Sequence, residues 1–174
     1  MAKKLLLTAG VSVALMVVLF LVYSITEKVA AKKIIHSKIQ TLPRAKVYDL
    51  DSSSLSLPPS ALAIIFFNPS CEHCQYELKD LKKDELLFSK KEIILLSSET
   101  ISTIKKTAEE YGLASLPNFQ FAKINAADVF DTFGPVTVPH IFIYGADHKL
   151  IKEFKGETKI ELIAKYLPDI QLAD

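Results

Sequence analysis

Cysteine is scarce in this sequence: of 174 residues only Cys71 and Cys74 carry a thiol. Two thiols cannot complete a four-ligand structural zinc site, and no second C-x-x-C or H-x-x-x-H spacing supplies the missing pair. No lipid-attachment cysteine follows the apolar N-terminal run Leu5–Ile25. That run is itself defined by a lack. None of its 21 residues is charged, and only Thr8, Gly10, Ser12 and Ser24 fall outside the apolar set. Internal repeats are missing, and so is any strong excess of one charge over the whole chain, whose net charge is +1. The balance hides a split. Residues 1–46 hold eight cationic side chains against one acid, Glu27, for +7, which leaves −6 on residues 47–174. An acidic globular part is repelled by phosphate, which excludes a basic nucleic-acid binder. A single apolar run excludes a multi-pass transporter, and the ordinary composition of the rest excludes an intrinsically disordered chain.

At ~1.5 Å per residue the run spans about 30 Å, the thickness of a bilayer's hydrocarbon core. Lys3 and Lys4 precede it as in an export signal, but it exceeds the ~7–15 residues usual for a signal's core. We therefore read residues 1–4 as a short tail and 5–25 as a retained signal anchor, although Val22-Tyr23-Ser24 offers small-residue cleavage. Lys28, Lys32, Lys33 and Lys38 follow the helix and nearly balance the charges before it, so the positive-inside rule leaves topology open. Residues 26–45 form a basic stem, either a solvated spacer or a contact for anionic lipid head groups. Residues 46–174 are enough for one domain with its own core.

Ser52-Ser53-Ser54 and Pro58-Pro59-Ser60 are turn-rich punctuation around a small hairpin. The apolar stretch Ala61–Phe67, closed by Asn68-Pro69-Ser70, predicts a strand buried on both faces. Cys74, Leu78 and Leu81 fall at i, i+4, i+7 and predict a helix with one core-facing stripe. A second buried strand is expected at Glu92–Leu96, then a helix over Thr100–Tyr111 stopped by Gly112. Asn118–Ile124 reads as a strand and Ala126–Phe133 as a short helix ending at Gly134. Strands at Ile141–Tyr144 and Leu150–Lys155 are joined by a turn at Gly145–His148, before a final amphipathic helix over Lys159–Leu167. Strands alternating with helices, then a hairpin and helix, give an α/β class with a mixed sheet.

The cysteine pair stands between a buried strand and the start of a helix. There the first amide N–H groups lack internal partners and the helix dipole is positive, so negative charge on Cys71 is favoured. Thiolate is the nucleophile in disulfide exchange. Cys71 would attack a disulfide, and Cys74, one turn inside on the core stripe, would resolve the mixed species. A static disulfide is the bland alternative, but closing so short a loop gains little.

The segment IIFFNPSCEHCQYELKDL (Ile64–Leu81) resembles the active-site segment of thioredoxin-fold proteins, and FGPVTVPHIFIYGADHKLIKEFKGE (Phe133–Glu157) resembles their cis-proline segment and hairpin. Cys71, Cys74 and Glu77 match the C-x-x-C-x-x-E pattern of membrane-anchored TlpA/ResA-type thiol–disulfide oxidoreductases, within the broader redoxin (AhpC/TSA) superfamily. The resemblance implies a thioredoxin-like fold, a mixed central sheet flanked by helices, behind one N-terminal transmembrane helix. It implies a cis Pro139, with the Val138 backbone pairing with an incoming client chain. It also implies protein thiol and disulfide substrates, a membrane redox donor and clients such as apocytochrome c. The catalytic domain would face the periplasm or extracytoplasmic side of the inner membrane, with no cofactor, metal or nucleic acid involved.

Particular residues leave choices open. Glu77 either tunes the cysteines or is a surface carboxylate paired with His73 at i, i+4. Between the cysteines, His73 resembles the C-x-H-C of oxidising members, whereas Glu72 matches an acid found in some reducing ones and opposes thiolate. The reductive direction is favoured by the family pattern. Ile65 stands where cytosolic thioredoxins bury a carboxylate, which leaves Glu77 as the nearby proton acceptor. Ser70 replaces a common tryptophan, and the chain has none. The competing class is a thioredoxin-fold copper chaperone for oxidase assembly, with His140 joining the two thiols. Such chaperones use C-x-x-x-C, and here the spacing is one residue shorter. A peroxidase is unsupported, since no Thr-x-x-Cys precedes the helix.

Overall fold

The computed structural model describes residues 2–170, with backbone alone for 2–14, 31, 32 and 35. It divides into two compact units, Met1–Ser37 and Lys38–Asp174. The first is nearly all of one helix, α1 (Ala2–Ile39), so residues 2–4, expected as a tail, are already helical, and most of the expected stem is helix as well. Of the apolar run only Leu15–Ile25 has described side chains, and these are exposed except Ser24. For residues 5–14 of that run the backbone alone is described, and it is helical. Among the described residues no helix is long and apolar enough to cross a membrane.

The second unit begins before Lys46, where the domain was expected to start. Ile39 is buried in its core, Thr41 bridges Lys149, and Leu42 N–H donates to the His148 carbonyl at 2.7 Å. An apolar residue inside a lysine-rich stretch accounts for the difference, because Ile39 needs cover that a solvated spacer does not give.

The sheet has seven strands: β1 (Val47–Tyr48), β2 (Ser54–Leu55), β3 (Leu62–Phe66), β4 (Glu92–Ser97), β5 (Phe119–Ile124), β6 (His140–Tyr144) and β7 (Leu150–Lys155). Their order is β2-β1-β5-β4-β3-β6-β7. β3, β4 and β5 run parallel, while β6, β7 and the short β1–β2 hairpin are antiparallel additions at the two sides. The mixed sheet is as expected, and so is the small hairpin.

Central strands buried on both faces need apolar residues at every position. In β3 the alternation splits them cleanly. Ala63 and Ile65, with Phe67 just beyond, join one core cluster with Cys74, Leu78 and Leu81 of α2 (Glu72–Lys83), Ile104 and Ala108 of α3 (Ile101–Glu110), and Ile160 and Ile163 of α5 (Ile160–Tyr166). Leu62, Ile64 and Phe66 face the other cluster, with Ile39 and with Phe133 of α4 (Ala126–Phe133). A short 3₁₀ turn at Glu85–Phe88, which no helical period signalled, tucks Phe88 into the first cluster. Leu81 is completely buried. Leu81→Ala should therefore cost about 2–5 kcal/mol, measured as a lower denaturant midpoint with an unchanged slope.

Candidate redox site

Asn68-Pro69-Ser70 carries the chain from β3 to α2 in a turn that its own side chains hold. Asn68 Oδ1 accepts from Ser70 N–H at 2.8 Å and from Ser70 Oγ at 2.7 Å, a local Asx arrangement. Gln75 Nε2 donates back to the Pro69 carbonyl at 2.7 Å. This delivers Cys71 to the N-cap of α2 in extended conformation, where its sulfur accepts from Cys74 N–H at 3.4 Å. One orphan amide at the positive end of the helix is thereby directed at Cys71 Sγ.

Both cysteines are free thiols, Cys71 partly exposed and Cys74 buried. The Cys71 thiol lies 3.8 Å from the Val138 carbonyl, and the Val138–Pro139 peptide is cis. The helix start and the segment before β6 therefore meet at the sulfur. Cys74 faces the core with 1% exposure. Burial pushes its thiol up to about 12, and the charges of Cys71 and Glu77 act in the same direction.

Glu77 is not a surface carboxylate paired with His73. It is 2% exposed, and neither carboxylate oxygen has a hydrogen-bond partner among the described residues. Desolvation raises its carboxyl to about 8, with further contributions from the charges of Glu157 and Asp80. Its expected partner, His73, points elsewhere: Nδ1 is 2.8 Å from Glu157 Oε2. Glu72 is exposed and accepts from the Tyr76 hydroxyl at 3.2 Å. Ile65 is buried in the cluster that holds Cys74 and supplies no charge. Glu157 was not singled out from the sequence. It stands after the hairpin, 84 residues from His73, and only the flanking Gly156 marks a special turn.

His140 does not join the thiols. Its ring stacks on Phe142, with centroids 4.3 Å apart, and Phe142 belongs to the core cluster opposite Cys74. Nε2 lies 2.8 Å from Glu153 Oε1. Burial lowers the imidazole's proton affinity, with Glu153 opposing. Among the described residues no group of three or more His, Cys, Asp or Glu side chains could hold a metal ion.

No protein-family model matches the chain. Two curated sequences do, both named thiol–disulfide oxidoreductase ResA. The one from Bacillus thuringiensis subsp. konkukian is 27% identical over 134 residues, 74% of this chain and 75% of its own, and the one from Bacillus cereus gives the same figures. Among solved structures, the thioredoxin domain of a thiol–disulfide oxidoreductase from Bacteroides vulgatus superposes with a TM-score of 0.58 at 21% identity, covering 74% of this chain and 98% of that one. A secreted Mycobacterium tuberculosis disulfide oxidoreductase, described as homologous to E. coli DsbE, gives 0.56 at 14% identity over 72% of this chain and 93% of its own. StoA from Bacillus subtilis gives 0.52 at 15% identity, with 69% and 95% covered. With its C-x-x-C at the head of a helix on this sheet, the chain has a thioredoxin-like fold and is similar to the thiol–disulfide oxidoreductases named ResA.

Proposed function

We propose that this oxidoreductase is held in the inner cell membrane by residues 5–25 and exchanges disulfides with protein clients on the extracytoplasmic side, chiefly as a reductant. The observation that carries the chemistry is the pairing of a partly exposed Cys71 at a helix start with a fully buried, protonated Cys74. Cys71 thiolate attacks one sulfur of a client disulfide, and the other leaves as thiolate. The client chain lies extended along the Val138 backbone beside Pro139. Cys74 then attacks Cys71, the mixed disulfide breaks, and the client leaves with both of its sulfurs reduced. A membrane redox donor restores the two thiols. Glu72, His73 and Glu77 tune the pair. The exchange itself needs no cofactor or metal.

The reductive direction is supported by the C-x-x-C-x-x-E pattern of Cys71, Cys74 and Glu77, whose resemblance is to largely reductive oxidoreductases. The anchor is supported by 21 uncharged residues of spanning length, and the extracytoplasmic side by the likeness to a mycobacterial neighbour described as secreted. Clients are proteins with paired cysteines that must be kept reduced, apocytochrome c among them. The reduction potential of the Cys71–Cys74 couple is the test. A value near the ~−270 mV of thioredoxin is expected, and one near the ~−120 mV of strong oxidants sinks the reductive direction.

A further inference from the structure

The loop that follows β4 meets the turn that delivers Cys71. β3 and β4 are parallel neighbours, with Phe66 opposite Leu96, and Phe67 N–H donates to the Leu96 carbonyl at 3.0 Å. The segments leaving the two strands therefore emerge side by side at the end of the sheet that carries the thiols. The first supplies Asn68 and the second Glu99, both partly buried. Asn68 Nδ2 donates to Glu99 Oε1 at 3.0 Å. Glu99 is fixed in turn. Its N–H donates to the hydroxyl of buried Ser97 at 3.3 Å, and the next residue, Thr100, caps α3 by accepting from Thr103 N–H at 3.2 Å.

An asparagine amide has two ends of nearly the same shape, and only one orientation serves this turn. Asn68 Oδ1 faces two donors, Ser70 N–H and Ser70 Oγ, while its backbone carbonyl accepts from Cys71 N–H at 3.0 Å. Rotated by half a turn, the amide would set its own N–H groups against the Ser70 N–H, donor against donor. A carboxylate accepts and has no proton to give. Glu99 therefore takes the Nδ2 end alone and selects the orientation that leaves Oδ1 toward Ser70. The placing of Cys71 Sγ at the helix start, 3.8 Å from the Val138 carbonyl, follows from that choice.

We propose that Glu99 is a positioning residue of the redox centre: by holding Asn68 in one amide orientation, it sets the turn that places the Cys71 sulfur. This role presupposes that Cys71 is the attacking sulfur of the exchange proposed above. Two influences of Glu99 would act in opposite directions, which makes them separable. A negative charge disfavours a thiolate, so if charge were the whole of its effect, removing it would speed attack by Cys71. Loss of positioning slows attack, because the sulfur leaves the Cys74 amide and the helix start that favour its negative charge.

Alkylation of Cys71 by iodoacetamide needs no client, which separates failure of this proposal from failure of the exchange reading. The full chain in detergent micelles is used in a Cys74→Ala background, which leaves one thiol and keeps the amide of residue 74. Its alkylation at about pH 7 is followed by intact mass. Glu99→Ala should lower the rate about threefold to tenfold. Glu99→Gln, which loses the charge and keeps an acceptor for Asn68 Nδ2, should react at the native rate or slightly faster. Asn68→Ala should be slowed as Glu99→Ala is, and adding Glu99→Ala to it should slow it no further. A native or faster rate in Glu99→Ala, an equal slowing in Glu99→Gln, or an undiminished further loss in the Asn68→Ala background overturns the proposal. Asn68 and Glu99 lie outside both core clusters, so these substitutions leave the core intact.

Discussion

Cys71→Ala is expected to abolish disulfide turnover, whereas Cys74→Ala is expected to retain attack and accumulate mixed disulfides. The asymmetry follows from where α2 puts the two sulfurs. Cys71 caps the helix, is partly exposed, and has the Val138 carbonyl 3.8 Å away. It is the sulfur that a client chain lying beside Pro139 can reach. Cys74 has 1% of its surface accessible and can act only on a sulfur already bonded to Cys71. Removing the first therefore removes the nucleophile. Removing the second leaves the mixed disulfide with no internal thiol to break it. Non-reducing gels of membranes expressing Cys74→Ala should show bands that disappear on adding dithiothreitol and are absent from the Cys71→Ala/Cys74→Ala double variant. If Cys71→Ala retained native turnover, or if Cys74→Ala trapped no client, the assignment of roles would fail. A remaining rate carried by Cys74 would be a small fraction of native, because its thiol is pushed up to about 12 and thiolate is the attacking form.

The strands that build the sheet were legible because burial on both faces forces apolar residues at consecutive positions. Ala61–Phe67 contains β3, and Leu62–Phe66 alternates between two cores as the pleat requires. The stripe Cys74, Leu78, Leu81 was legible for the equivalent helical reason and is buried as expected. Glu77 was harder. It neighbours that stripe, but carboxylates are almost never fully buried without a partner, so composition pointed outward and only the C-x-x-C-x-x-E resemblance pointed in. The His73–Glu157 pair was not legible, since it joins a helix start to a loop 84 residues away and no local period encodes it. The start of the domain was masked by charge. Lys38 and Arg44 read as stem, while Ile39 between them is a core residue. His140 was placed near the sulfurs by adjacency to Pro139, yet the pleat of β6 turns it to the opposite face, alongside Phe142.

Glu77→Gln is expected to change how stability depends on pH more than it changes stability at any one pH. A carboxyl that titrates near 8 in the folded protein and near 4.5 as an ordinary glutamate binds its proton more tightly folded than unfolded. The stabilisation from this protonated group is fully present below about pH 4.5. It is lost as pH rises through the folded value, and above about pH 8 the ionised, unpartnered side chain sits in the core as a net penalty. At ~1.4 kcal/mol for each pH unit, the native chain should lose on the order of 3–5 kcal/mol between pH 5 and pH 8.5 on account of this residue. Glutamine cannot ionise, so that loss disappears. The amide carries a cost of its own, about 1–3 kcal/mol for burying a polar group without partners, but this cost is the same at every pH. The two stability curves should therefore cross or converge: the variant below native at pH 5, and level with it or above it at pH 8.5. His140, whose imidazole is also displaced by burial, titrates identically in both proteins and cancels from the difference. Denaturant unfolding of the full chain in micelles at the two pH values measures it. Parallel curves would mean that Glu77 is ionised or solvated throughout, and would remove it from the proton chemistry of Cys74.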